Sequence, residues 1–263
     1  MKLKQTKCLF IALSIILGAC STQQEIKTKV VLLTDSIQKP YVFLSELSII
    51  SNNNKISKKA NIAIQNLSEN QHIEISAPKE RLILKKKFLQ ECFTTDVLKC
   101  KYTPEKYKIL TNIDNILSLE YSYNNFGSYE NWNKYACFDL ETGEQLTFDK
   151  MLVRPEEVLK KYNKRYIVII ENHIDNNKQE TEEEKDEYQS YKEHLKTREL
   201  FIVEDLNSIE FVYTETKKIN SIRFHYHGSS GNHRQLFPSD YIEFTLDELK
   251  PYFSKSFKDR IKL

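Results

Sequence analysis

The stretch Ile116-Leu117-Ser118-Leu119-Glu120-Tyr121-Ser122-Tyr123 and the turn Asp139-Leu140-Glu141-Thr142-Gly143 that follows decide the fold. Leu117, Leu119, Tyr121 and Tyr123 alternate with Ser118, Glu120, Ser122 and Asn124. That two-residue period marks a strand with one face on a core and one face wet. Tyr135 to Leu140 makes the partner strand, and Asp139 to Gly143 reads as a hairpin turn with Gly143 in the left-handed position. Toward the C-terminus the period lengthens: Val158, Leu159, Tyr162, Tyr166, Ile169, Ile170 and His173 keep helical spacing through Ile174. Thr181 and Glu184 form a capping box for a second helix, which makes Glu182 to Glu184 a solvated helix start and not a metal site. Strand grammar returns at Ile209/Phe211/Tyr213, Ile222/Phe224/Tyr226 and Ile242/Phe244/Leu246, and Asp247 to Phe253 closes with a helical turn.

Toward the N-terminus, Val30 to Leu33 and Val42 to Ile50 are β-branched and aromatic, with Pro40 between them. Ile56, Ala60, Ala63, Ile64 and Leu67 recur at helical spacing with a lysine face opposite. Pro78 opens another helix where its missing amide costs nothing, with Leu82, Phe88, Leu89 and Cys92 inward. Strands and helices therefore come in blocks, which predicts an α+β fold with antiparallel sheets packed against helices. The expected organisation is a signal at residues 1–19, a tether at 20–28, a smaller α+β region at 29–106 and a larger α+β domain at 107–263.

The first residues carry Lys2, Lys4 and Lys7, followed by a short apolar run to Leu17 and then Gly18, Ala19 and Cys20. This is a secretory signal; its apolar run of about nine residues is far short of the roughly 20 a bilayer requires. Leu17-Gly18-Ala19-Cys20 resembles a bacterial lipobox, which implies lipidation of Cys20 and anchoring to a membrane of the cell envelope, with an uncleaved anchor as the alternative. Cleavage lowers Lys+Arg from 39 to 36 against 37 acids, so the mature chain is near −1 and gives no electrostatic reason to expect nucleic acid. With five glycines in the whole chain and only Gly228 and Gly231 close together, no loop can cradle a nucleotide phosphate. No cofactor is expected.

Five constellations could carry function. Phe126, Tyr129 and Trp132, interleaved with asparagines between Asn124 and Trp132, suit recognition of a protein or glycan, whereas Tyr121, Tyr123 and Tyr135 read as core. His225, His227 and His233 offer an H-x-H with a third histidine, but the alternation puts His225 and His227 on a solvated face beside Arg223. Cys92 and Cys100 could pair in an oxidising compartment. Cys137 reads as a buried small hydrophobe. Ser229 and Ser230 sit in a flexible Gly228 to Gly231 tip, not a nucleophile elbow.

The segments Ile116 to Tyr123, Phe138 to Leu146 and Tyr241 to Phe253 together resemble the RsiV-like extracytoplasmic domain family, which includes lysozyme-sensing anti-sigma factors and accessory domains of peptidoglycan deacetylases. The resemblance covers residues 110–253. It implies an envelope module that binds a protein, lysozyme-like among the candidates, or peptidoglycan. The glycine pair followed by a small residue and His that the family shows is replaced here by Phe126-Gly127-Ser128-Tyr129, so that segment's role does not carry over. The leading expectation is a non-enzymatic lipid-anchored binding module; the alternatives are an envelope glycan hydrolase or deacetylase-related enzyme, and a metal protein using the three histidines.

Overall fold

The β1-β2 hairpin comes first, with Thr28–Gln38 and Tyr41–Ser51 paired antiparallel along their full lengths. The structure is a computed structural model that describes residues 27–38, 41–73, 77–94, 102–124, 132–176, 182–197, 200–226 and 239–263. Helix α1 (Asn54–Gln65) starts where the Asn53 side chain accepts from the amides of Lys55 and Ile56, a standard satisfaction of helix-start donors. Its Asn61 amide bonds both the N–H and the C=O of Ile49 and so occupies the edge of β2. Helix α2 (Pro78–Thr94) lies across the same hairpin.

The second sheet runs in the order β3 (Glu105–Ile113), β4 (Ile116–Tyr123), β5 (Trp132–Asp139), β6 (Glu144–Leu146), all antiparallel. Gly143 adopts φ +73°, and a Cβ there would lie 2.6 Å from the Ile56 carbonyl oxygen, so the turn needs glycine for both conformation and space. After α3 (Phe148–Met151), α4 (Pro155–Asn176) and α5 (Glu182–Thr197), a third antiparallel sheet forms in the order β7 (Ile209–Tyr213), β8 (Ile219–His225), β9 (Tyr241–Thr245). The chain closes with α6 (Leu246–Leu249), capped by Thr245 and Glu248, and α7 (Lys255–Arg260). The architecture is α+β. The capping box expected at Thr181 lies outside the described residues.

One core packs Ile209, Phe211, Ile222, Phe224, Ile242 and Phe244 against α4 and the C-terminal helices. Another packs Leu117, Leu119, Tyr121, Ala136 and Phe138 against β2 and α1. The alternation in β4 therefore holds, with a correction: Ser118, on the expected wet face, is buried. The reason is tertiary. β7 runs beside β5 and covers this end of the sheet, where the Cys137 thiol donates to the Ile209 carbonyl at 3.2 Å.

The hairpin is tied to the second sheet by buried charge. Lys85 bridges Glu46 and Glu105, the latter at 2.6 Å, and Arg81 Nε lies 3.4 Å from Glu46. Tyr121 and Ser68 hydroxyls donate to Glu105 at 2.6 and 2.7 Å. Two acids and two bases make the cluster formally neutral, which is the condition under which charges tolerate burial. Burial drives the Glu46 carboxyl above its ordinary value; at Glu105 the same burial is outweighed by Lys85, which holds it below.

Candidate functional site

Cross-strand pairing in the third sheet sets three charged residues in a row: Glu210 opposite Arg223 and Arg223 opposite Glu243. Opposed side chains on one sheet face are within interaction distance, and Arg223 pairs with both acids, at 3.6 and 2.9 Å. The next row places His225 opposite Tyr241. This face points away from α4, because Ile222 and Phe224 take the other one.

His225 is 5% exposed, not solvated as the local alternation predicts. Tyr135 of β5 stacks on its imidazole with ring centroids 3.5 Å apart and planes 15° from parallel. Ser208 holds the two strands together: its hydroxyl accepts from the Tyr135 amide and its carbonyl from the His225 amide. His225 Nε2 lies 2.9 Å from Glu210, and Nδ1 lies 3.7 Å from Asp240, too long for a hydrogen bond but close enough for ion pairing. Burial alone would lower the imidazole pKa; the Asp240 and Glu210 carboxylates outweigh it and raise it above the ordinary histidine value. The neighbouring His225 imidazole lowers Asp240, and Ser221 followed by Arg223 lowers Glu243. Glu210 is also lowered, His225 overcoming its burial.

Tyr135 thus belongs to a polar face and not to the core, a second correction, because His225, the last residue of β8, and not a helix lies against it. Across β5 and β4 the same face continues through Glu120, opposite Tyr135, and Lys108, 3.3 Å from Glu120. Beyond it an open hollow of about 580 Å3 is lined in part by Phe43, Lys106, Glu120, Ser122, Tyr123 and Asn133.

Trp132, expected in the loop, is the first residue of β5, half-buried and paired with Tyr123. Phe126 and Tyr129 lie outside the described residues, as do Cys20, His227 and His233. Among the described residues no group of His, Cys, Asp and Glu is arranged to hold a metal ion. Cys92 is disulfide-bonded; Cys100 lies outside the described residues. Cys137 is a buried free thiol whose pKa burial pushes up to about 12. No described helix is long and apolar enough to cross a membrane.

Sequence reading missed Glu210, Glu243 and Asp240 altogether. The signal was present in the opposition of two acids and one arginine at matching strand positions, but it required the register.

No family model matches the chain, and no curated protein does. Among solved structures it is similar to a crystal structure described as a DUF3298 family protein from Pseudomonas aeruginosa PAO1, at 10% identity and a TM-score of 0.46, covering 89% of this chain and 96% of that one.

Proposed function

We propose that the chain is an envelope lipoprotein, anchored through Cys20, whose α+β domain binds a protein or peptidoglycan ligand without catalysis. The observation that carries this reading is the polar and aromatic face built around the Tyr135/His225 stack. Aromatic rings with fixed hydrogen-bonding neighbours offer contact area at low entropic cost. Three of its acids, Glu210, Asp240 and Glu243, are lowered by His225, Ser221 and Arg223 and stay charged near neutral pH. A general acid needs the opposite shift, so this charge pattern favours recognition over hydrolysis.

The test has two arms. A clickable fatty acid should label the wild type and not Cys20→Ala; label on the mutant ends the anchor reading. Purified peptidoglycan sacculi and a C-type lysozyme should be titrated with the chain starting at Ser21, which keeps every described residue. Saturable binding of either, lost on Arg223→Ala, supports the face, whereas binding of neither removes both ligand classes.

A further inference from the structure

On the outer side of α4 a second hollow of about 360 Å3 is lined by Lys161, Lys164, Arg165, Val168, Phe244 and Glu248. Arg165 is engaged: it pairs with Glu248 at 2.6 Å, donates to the Glu243 carbonyl at 2.5 Å and covers the Phe244 ring at 4.2 Å. Lys164 and Lys161 form no ion pair among the described residues, and the Lys161 ammonium lies 4.8 Å from the Tyr252 ring centre. Arg154 approaches the same ring at 5.2 Å. Two apolar side chains flank these cations in the open, Val168 at 44% and Val153 at 57% exposed. Unpaired ammonium groups beside exposed aliphatic surface match a phosphate attached to hydrocarbon better than a fully hydrated anion.

A series of contacts links the first described residue to the helix that carries the hollow. The Lys27 amide, first of the described residues, donates to Asn52 just before α1. Lys59 of α1 pairs with Glu144 at 2.5 Å, and Lys150 reaches the same carboxylate at 3.6 Å. From there Val153 bonds the Tyr252 carbonyl, which leads to Arg154 and Lys161. Lys55 and Lys58 of α1 and Lys160 of α4 are also exposed, as are Glu156 and Glu157 of α4.

We propose that the hollow formed by Lys161, Lys164, Arg165 and Val168 seats the headgroup of an anionic phospholipid, laying the anchored domain against its own membrane. Basic residues held near an anionic leaflet add binding that salt screens. The proposal rests on the Cys20 anchor, but its test does not. The unlipidated chain from Ser21 should co-sediment with phosphatidylcholine vesicles only when they contain phosphatidylglycerol, and less so at high salt. Lys164→Glu, which breaks no ion pair or side-chain hydrogen bond among the described residues, should weaken that binding at least fivefold with an unchanged melting temperature. Val168→Gln should weaken it at constant charge. Equal binding to neutral and anionic vesicles overturns the proposal, as does indifference to Lys164→Glu. Binding of free glycerol phosphate without vesicle binding overturns it too, in favour of a soluble phosphate ligand. Loss of fatty-acid labelling at Cys20 would sink the anchor alone and leave these vesicle results standing.

Discussion

Tyr135 and His225 stack face to face, 3.5 Å between ring centroids, across the seam where β5 of one sheet meets β8 of the next. Ser208, which bonds both Tyr135 and His225, and the Cys137 thiol on the Ile209 carbonyl join the same two sheets. The stack also sets the imidazole between Glu210 and Asp240, so the seam carries a titrating group.

That group fixes a pH dependence. The folded pKa of His225 is raised above its unfolded value of about 6.5. Its protonation therefore contributes stability that is fully present below about pH 6.5 and is lost as pH rises through the higher folded value. Melting temperature should fall as the pH is raised across this window, and His225→Gln should flatten the slope. A wild-type slope identical to that of the variant would show that the imidazole is not coupled to folding.

The Lys85 cluster predicts a steep loss on truncation. Lys85→Met removes the cation shared by Glu46 and Glu105 and, with Arg81 still beside Glu46, leaves the buried Glu105 carboxylate uncompensated, which costs about 3–5 kcal/mol. Urea unfolding measures it. A loss under about 1 kcal/mol would mean that water reaches the cluster on mutation.

These two clusters mark where the sequence stopped being legible. Leu117, Leu119 and Tyr121 declare their burial through a two-residue period, and Pro78, Asp139 and Gly143 declare their turns through local chemistry, so the α+β architecture could be read directly. Arg81 and Lys85 carry charges that argue for solvent, although Lys85 shares the helix stripe of Leu82, Leu89 and Cys92, and packing of α2 over the hairpin buries both. Ser118 and His225 obey the strand alternation and are buried all the same, because a neighbouring sheet edge covers the face that alternation calls wet. The candidate site is built from such seams. Its acids become a row only once β7, β8 and β9 are in register.

Gly143→Ala should destabilise the fold by roughly 1–2 kcal/mol from the left-handed backbone alone, and further because the new methyl meets the Ile56 carbonyl at 2.6 Å. Thermal melts give the answer. A neutral result would require α1 to shift away from the turn, visible as loss of the Lys59 to Glu144 ion pair.

Thiol chemistry separates the cysteines. Cys137 is buried with a pKa near 12, so it should not react with an aromatic disulfide reagent until the chain unfolds. The unreduced chain from Ser21 should then release one thiol, since Cys92 is in a disulfide and Cys100 is its expected partner. Three reactive thiols would contradict that pairing.

Whether the face around Tyr135 is a binding surface is settled most directly by comparing affinity with stability in one variant. Tyr241 borders the face opposite His225 and lies under the Arg223 guanidinium at 4.4 Å. Calorimetric titration of Tyr241→Ala with whichever probe the wild type binds, lysozyme or solubilised peptidoglycan, should show a loss of about 2 kcal/mol or more in affinity. Its melting temperature should shift by only a few degrees. Unchanged affinity in a folded Tyr241→Ala protein would contradict the assignment of this face as the binding surface.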